Sequence, residues 1–260
     1  MTTRQQRRVF GEVADAYDEV RPGYPVEIAR RVAAYLGHTP ARIVESGAGT
    51  GKGTAVLRTF AAPLTCVEPD PAMAAVLRRR FAGDDLVEVF LGSFENWTPP
   101  PGGVELLASA QAWHWVDPTR RNQLAYDALA PAGALAIFGH HYGFAEGPFL
   151  DEMDAIYDEI APEIADPPDK RLDRARSFHH DEIAESGLFA DVETQHLETI
   201  VHFDTQRYLT LLSTFSGHRM LPEDKRVPLH NALADLIDRH GGVLEHRITT
   251  SLWLARKPRP

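Results

Sequence analysis

The feature that most constrains this chain is a set of alternating glycines, Gly47, Gly49 and Gly51, placed directly after a short β-branched segment, Ala41-Arg42-Ile43-Val44-Glu45. Glycine is the residue that tolerates left-handed backbone, so the spacing ends a strand and turns the chain into a helix, giving strand, glycine loop, helix. That is half of a βαβ unit, and the pattern recurs. Leu64 to Glu68 reads as a second strand, and Pro71 to Phe81 as a helix with proline in its first turn. Val87 to Leu91 reads as a third strand. After the Pro99 to Gly103 hinge, Leu106 to Ser109 makes a fourth, Thr119 to Ala130 a helix, and Pro131-Ala132-Gly133 a turn into a fifth apolar strand, Ala134 to Phe138. Strands alternating with helices of about ten residues predict a parallel sheet covered on both faces.

The flanks obey other rules. Phe10, Val13, Ala14 and Tyr17 recur at helical spacing, Arg21-Pro22-Gly23-Tyr24-Pro25 ends that helix, and a second helical pattern from Val26 to Leu36 closes at Gly37, which suits a left-handed cap. After Gly139 the rhythm breaks. Residues 140–190 are acidic, with a helical stripe of Phe149, Met153, Ile156 and Ile160, and read as an insertion over the sheet. Val192 to Phe203 and Val243 to Ala255 are long β-prone runs separated by helices near 204–214 and 223–239, a terminal antiparallel pair. The predicted fold is a doubly wound, Rossmann-like α/β domain over residues 1–260. It has a mostly parallel seven-stranded sheet, the antiparallel C-terminal pair and a helical lid. Its parts are an N-terminal helical cap (1–36), a core (41–139), the lid (140–190), and C-terminal strands and helices (191–260).

Composition narrows the function. One cysteine cannot close an internal disulfide, which excludes a stapled secreted scaffold. The basic start is succeeded by no apolar core, and no stretch reaches 18 uninterrupted apolar residues, so the expectation is a cytoplasmic protein with no membrane partner. A net charge of −10 repels phosphate backbones, which disfavours nucleic acid and leaves a small molecule as the expected partner, with the chain a monomer or homodimer.

Three glycine motifs compete for residues 46–54. A P-loop requires Ser or Thr after Gly-Lys, but Gly51-Lys52 is succeeded by Gly53, and Ser46 stands where its first glycine belongs. The dinucleotide fingerprint requires a third glycine where Lys52 stands. What remains is acidic-x-Gly-x-Gly-x-Gly, with a second acidic residue, Glu68, ending the next strand.

Here the chain resembles the class I S-adenosylmethionine-dependent methyltransferases. Ile43-Val44-Glu45-Ser46-Gly47-Ala48-Gly49-Thr50-Gly51 is similar to their first motif and Val67-Glu68-Pro69-Asp70 to their second. Gly92-Ser93-Phe94-Glu95 resembles their adenine-edge segment, and Leu106 to Gln111 their fourth-strand motif. Leu129-Ala130-Pro131-Ala132-Gly133 resembles their Leu-x-Pro-Gly-Gly turn, with Ala132 departing from it. The run Phe10-x3-Ala14-x2-Tyr17-x3-Arg21-Pro22-x-Tyr24-Pro25, with Gln111-Ala112-x-His114-Trp115-x-Asp117, resembles the small-molecule branch (methyltransferase type 11) that includes the trans-aconitate methyltransferases.

The resemblance implies S-adenosyl-L-methionine as cofactor and a set of residues to hold it. These are Tyr17, Arg21, Glu45, Gly47, Ala48, Gly49, Gly51, Glu68, Pro69, Asp70, Met73, Ser93, Phe94, Ala110 and Gln111. Bare glycines let backbone pass under the methionyl arm, and a carboxylate at position 68 suits two ribose hydroxyls. Arg21 is a candidate for the cofactor carboxylate, or else a surface ion pair. The implied acceptor is a small molecule, methylated at an oxygen of a carboxylic acid or natural product. Methyl transfer from a sulfonium needs alignment and desolvation, and a base only if the acceptor is a hydroxyl or amine. His114 is the catalytic candidate, equally readable as a structural imidazole beside Trp115. Tyr24, Trp115, His140 and His141 are the acceptor-side candidates.

No metal is predicted, because the adjacent pair His140-His141 diverges on extended backbone. His179-His180 reads as a surface cap before the helix at Asp181. Asp166-Pro167-Pro168-Asp169 lacks the aromatic of the Pro-Pro-aromatic motif of amino-group methyltransferases and does not come after the fourth strand. The alternatives left open are a non-catalytic cofactor-binding protein, a methyltransferase acting on nucleic acid or protein, and a nicotinamide dehydrogenase.

Overall fold

The computed structural model describes residues 14–165 and 179–259. The candidate positions Phe10 and Val13 and the stretch from Asp166 to Asp169 lie outside them. The described helices begin with α1 (Ala14–Val20) and α2 (Glu27–Leu36). In α2 the apolar stripe Ile28, Ala29, Val32 and Leu36 is buried, and Gly37, at φ 83°, returns its N–H to the Ala33 carbonyl as the left-handed cap predicted from the sequence.

The core then alternates: β1 (Ile43–Ser46), α3 (Lys52–Leu57), β2 (Leu64–Glu68), α4 (Pro71–Arg80), β3 (Val87–Leu91), β4 (Val104–Ala110), α5 (Arg121–Ala128) and β5 (Leu129–Gly143). Helix α4 shows why these boundaries hold. Pro71 occupies its first turn, and the Asp70 carboxylate accepts from the Ala72 and Met73 amides at 2.8 and 3.0 Å. Arg78, Arg79 and Arg80 meet the negative end of its dipole. The chain continues through α6 (Pro148–Ile160), α7 (His180–Glu185), β6 (Ala190–Asp204), α8 (Thr205–Ser213), α9 (Ser216–Met220), α10 (Glu223–Arg239) and β7 (Val243–Arg256).

The seven strands form one sheet in the order β3-β2-β1-β4-β5-β7-β6. β1 is parallel to β2 and β4, β2 to β3, and β4 to β5. The sheet carries the antiparallel pair predicted for the C-terminal strands. Winding runs outward from β1 through β2 to β3, then returns to β4 on the other side of β1. The β1/β4 carboxyl ends are therefore a topological switch point, where open α/β sheets bind ligands.

One local expectation changes. Pro131-Ala132-Gly133 is not a turn before a strand but an outward bulge inside β5. Val104 pairs with Leu129 and Leu106 with Ala134, so five positions of β5 pass against two of β4. The excess is held by the chain end: the Ala132 amide donates to the Lys257 carbonyl at 3.0 Å and the Lys257 amide to that of Gly133 at 2.9 Å. Long-range pairing of that kind leaves no local signal.

The chain divides into two compact units. One comprises the described residues of Pro22–His140, Arg176–His196 and Thr250–Pro260. Its core includes Val44, Val67, Leu107, Trp113, Leu135, Ile137, Phe189 and Trp253. The other comprises those of Met1–Arg21, His141–Ala175 and Leu197–Thr249, built around Met153, Phe203, Tyr208, Leu211, Leu229, Leu233 and Leu236. In this second, helical unit α6 packs on α10, and α8 on α1 and α10.

Candidate active site

The glycine loop leaves β1 with its amides anchored. Gly47 and Ala48 both donate to the Val67 carbonyl, at 2.8 and 3.2 Å. Gly47, Gly49 and Gly51 all have positive φ, but for different reasons. A Cβ at Gly47 would lie 2.3 Å from Ala112 Cβ, so that glycine is where the loop meets the segment after β4; at Gly51 it would strike Phe81 and Leu77 at 2.6 and 2.7 Å. At Gly49 a Cβ would meet nothing within 4 Å among the described residues. Packing within the protein does not require that glycine, and the space above it suits a ligand lying against bare backbone.

Two buried carboxylates stand beside the loop. Glu68, at the end of β2 and 6 % exposed, accepts from the Gly49 amide at 2.7 Å and the Asp70 amide at 2.8 Å, one on each oxygen. The group thereby braces the loop against the start of the segment after β2. Glu45 is fully buried; its Oε2 accepts from the Thr54 hydroxyl at 2.5 Å, while Oε1 has no hydrogen-bond partner. Burial pushes its pKa up to about 8, against the Thr54 hydrogen bond and with the help of the Glu68 charge. Burial likewise raises the nearby Cys66 thiol, whose sulfur lies 3.7 Å from the Thr54 hydroxyl. Gly53 is obligatory here, since its Cβ would fall 2.2 Å from Glu45 Oε1.

The remaining candidates occupy distinct places. Pro69 is exposed, Asp70 is spent capping α4, and Met73 is buried on the core side of that helix. Ser93 precedes the 3-10 turn Phe94–Asn96, and Phe94 is buried, its ring centroid 6.0 Å from that of Trp97 and 6.2 Å from that of Trp113. Ser109 donates to the Ser46 carbonyl at 3.0 Å, tying β4 to β1 just where the loop begins. Ala110 ends β4, and Gln111 comes next in left-handed backbone at φ 51°. Tyr24 donates to Gln111 Oε1 at 3.1 Å and stacks on His140 at 4.3 Å. His114 and Trp115 lie on the 3-10 turn Trp113–Trp115; His114 is exposed, 4.6 Å from the Trp115 ring. The structure therefore brings Glu45, the loop, Glu68, Tyr24, Gln111 and His140 into one unit with His114 and Trp115.

Tyr17, Arg21 and His141 belong to the helical unit. Arg21 is not in a surface ion pair. It is buried, donates Nε to the Thr214 hydroxyl at 2.8 Å and a terminal nitrogen to its carbonyl at 3.1 Å, and lies over Phe215 and Tyr17 at 4.0 and 5.0 Å. His141 is half-buried at the end of β5. His179 is not a surface cap either: it is buried, edge-on to Trp253 at 4.9 Å. Sequence reasoning missed Thr54 and Thr250. Thr54 lies three residues past Gly51, where a helical turn aims it back at β1, whereas Thr250 is 110 positions from its partner His140. Among the described residues no three His, Cys, Asp or Glu side chains are grouped to hold a metal ion, and no helix is long and apolar enough to cross a membrane.

Residues 44–137 match the family model described as a methyltransferase domain. An uncharacterized methyltransferase of Mycobacterium tuberculosis is 35 % identical over 128 residues, covering 49 % of this chain and 50 % of that protein. The chain spans about half the length of the curated relatives it matches first. A solved protein of Anaeromyxobacter dehalogenans assigned as a type II methyltransferase superposes with a TM-score of 0.64 at 21 % identity, covering 92 % of this chain and 99 % of that one. Haemonchus contortus phosphoethanolamine N-methyltransferase 2, solved with phosphomonomethylethanolamine and S-adenosylhomocysteine, gives 0.55 at 16 %, over 96 % and 58 %. These structural likenesses establish the shared fold. The acidic glycine loop at the switch point thus lies inside the stretch, residues 44–137, that matches a methyltransferase domain.

Proposed function

We propose that this chain is an enzyme that transfers a methyl group from S-adenosylmethionine to a small-molecule acceptor, at an oxygen of a carboxylic acid or natural product. The observation that carries the reading is Gly49: left-handed backbone with open space above it, its amide fixed by the buried Glu68 carboxylate. When bound, the cofactor supplies a methyl group already activated as a sulfonium. The chain's own part is to bind and align. The Gly47 to Gly51 backbone offers a close approach, Glu68 offers acceptors for ribose hydroxyls, Ser93 and Phe94 flank the adenine side, and Ala110 and Gln111 bound the site after β4. Glu45, Ala48, Pro69, Asp70 and Met73 complete the proposed cofactor set on this unit, whereas Tyr17 and Arg21 belong to the helical unit.

On the acceptor side we assign Trp115, with His114 as the base when the acceptor is a hydroxyl or amine. A carboxylate acceptor is already ionised at neutral pH, and His114 then only orients it. A small acceptor is favoured by the charge of −10, which opposes binding to polyanions, and by the small-molecule substrate held by the Haemonchus relative of the fold. The trans-aconitate-like motifs favour an acid over an amine. The test is calorimetric binding of S-adenosylmethionine and S-adenosylhomocysteine, then turnover over a panel of small acids, phenols and amines. Methylated acid with S-adenosylhomocysteine as co-product is the expected result. Binding without turnover on any acceptor would replace the enzyme by a cofactor-binding protein.

A further inference from the structure

Gln111 is a non-glycine residue in left-handed backbone, φ 51°, at the carboxyl end of β4. Such a conformation is strained for a residue with a Cβ and persists only where the surroundings over-determine it. Three hydrogen bonds do so. Its amide donates to the Phe138 carbonyl at 2.8 Å, its side-chain Nε2 to the His140 carbonyl at 3.1 Å, and its Oε1 accepts the Tyr24 hydroxyl at 3.1 Å.

The groups that hold Gln111 are themselves held. The His140 imidazole is buried; its Nε2 is 3.2 Å from the Gly23 carbonyl, which can only accept, so that nitrogen carries the proton, and Nδ1 meets the Thr250 hydroxyl at 2.9 Å. Both ring nitrogens are thus committed to the fold, and the ring stacks on Tyr24 at 4.3 Å. The next residue, Ala112, occupies the space a side chain at Gly47 would need. The backbone setting of Gln111 therefore fixes where the segment after β4 bears on the glycine loop.

We infer that Tyr24 and His140 are positioning residues rather than substrate ligands: acting through Gln111, they hold the segment after β4 against the glycine loop in the geometry that receives the cofactor's amino-acid arm. The inference rests on the proposed cofactor reading and departs from the sequence expectation that placed these two residues on the acceptor side. Tyr24→Phe keeps the stacked ring and removes the hydroxyl that donates to Gln111. Gln111→Gly removes the brace while relieving the left-handed strain, so it keeps the fold.

The experiment is calorimetric titration of the full chain with two probes, S-adenosylhomocysteine and methylthioadenosine, which lacks the amino-acid arm. Each variant should weaken S-adenosylhomocysteine about tenfold and leave methylthioadenosine within twofold. The double variant should be no weaker than Gln111→Gly alone, because the Tyr24 hydroxyl is inferred to act on the cofactor through Gln111. Equal losses for both probes would mean general loosening and overturn the inference, as would additive losses or an unchanged Tyr24→Phe. Failure of the wild-type protein to bind either probe would instead overturn the cofactor reading itself, and this inference with it.

Discussion

At the scale of single residues, the two buried glutamates do different work and should answer differently to substitution. Glu68 fixes the Gly49 amide and is proposed to accept a diol, so Glu68→Ala should weaken S-adenosylmethionine binding by roughly 2–4 kcal/mol, read by calorimetry. An unchanged dissociation constant in a folded variant would remove the ribose assignment. Gly49→Val tests the space itself. Among the described residues no atom lies within 4 Å of a Cβ there, so lost binding with a largely retained fold is expected, at the cost of backbone strain from a β-branched residue at positive φ. Glu45 supplies a pH test. Its folded pKa of about 8 lies above the ordinary carboxyl value, so the folded state holds more protons and the group's stabilisation is complete below about pH 4.5. It is lost as pH rises through 8, at no more than about 1.4 kcal/mol per pH unit. Glu45→Gln keeps the shape without the charge. Urea unfolding at pH 5.5, 7 and 8.5 should show the variant gaining on wild type at the alkaline end; parallel curves would mean Glu45 is ionised throughout. The two acids and the glycines were legible from the sequence because they act through local backbone. Of the partners that decide their chemistry, Asp70 is local to Glu68, whereas Gly49 comes from the loop after β1 and Thr54 from α3.

At the scale of elements, the helical unit holds histidines in apolar surroundings. His246 on β7 is boxed by Phe144, stacked at 4.3 Å, and by Tyr142, Phe203 and Tyr208, and its Nδ1 has no hydrogen-bond partner. Burial lowers its pKa to about 4. His218 on α9, bonded to Tyr157 at 3.0 Å and His230 at 3.2 Å, is lowered to about 3 by burial and by His230. A depressed histidine works opposite to Glu45. Its neutral form is preferred by the fold, so stability is complete above pH 6.5 and falls as pH drops toward the folded values. His246→Phe completes the ring box without a titrating group, and should make acid unfolding, monitored by circular dichroism between pH 7 and 4, begin at lower pH than in wild type. An unchanged acid transition would assign the sensitivity elsewhere, with His218 the next group to replace. Elements themselves were predicted well wherever periodicity is local: β2 and β3 fall on their predicted residues, and α10 and β7 within a residue or so. The bulge at Pro131 to Gly133 was not, because it depends on pairing with Lys257.

At the scale of the whole molecule, cofactor binding should raise thermal stability by mass action. S-adenosylhomocysteine at a hundred times its dissociation constant contributes about 2.7 kcal/mol, or roughly 5–10 °C in the melting midpoint for a chain of this size. Differential scanning calorimetry with and without it reads the shift, and none at saturation would deny the site. What the sequence alone determined is the alternation of strands and helices, the acidic glycine loop after β1 and the second acid after β2, since each rests on periods of two and 3.6 residues and on glycine's backbone freedom. The tertiary structure decided the rest. It split the chain into two units, made Gly47 and Gly51 packing glycines and left Gly49 open, buried Glu45 with one oxygen unpartnered, and turned Tyr24 and His140 inward onto Gln111. Those outcomes depend on which distant atoms share a few ångströms, and a linear pattern carries no record of that.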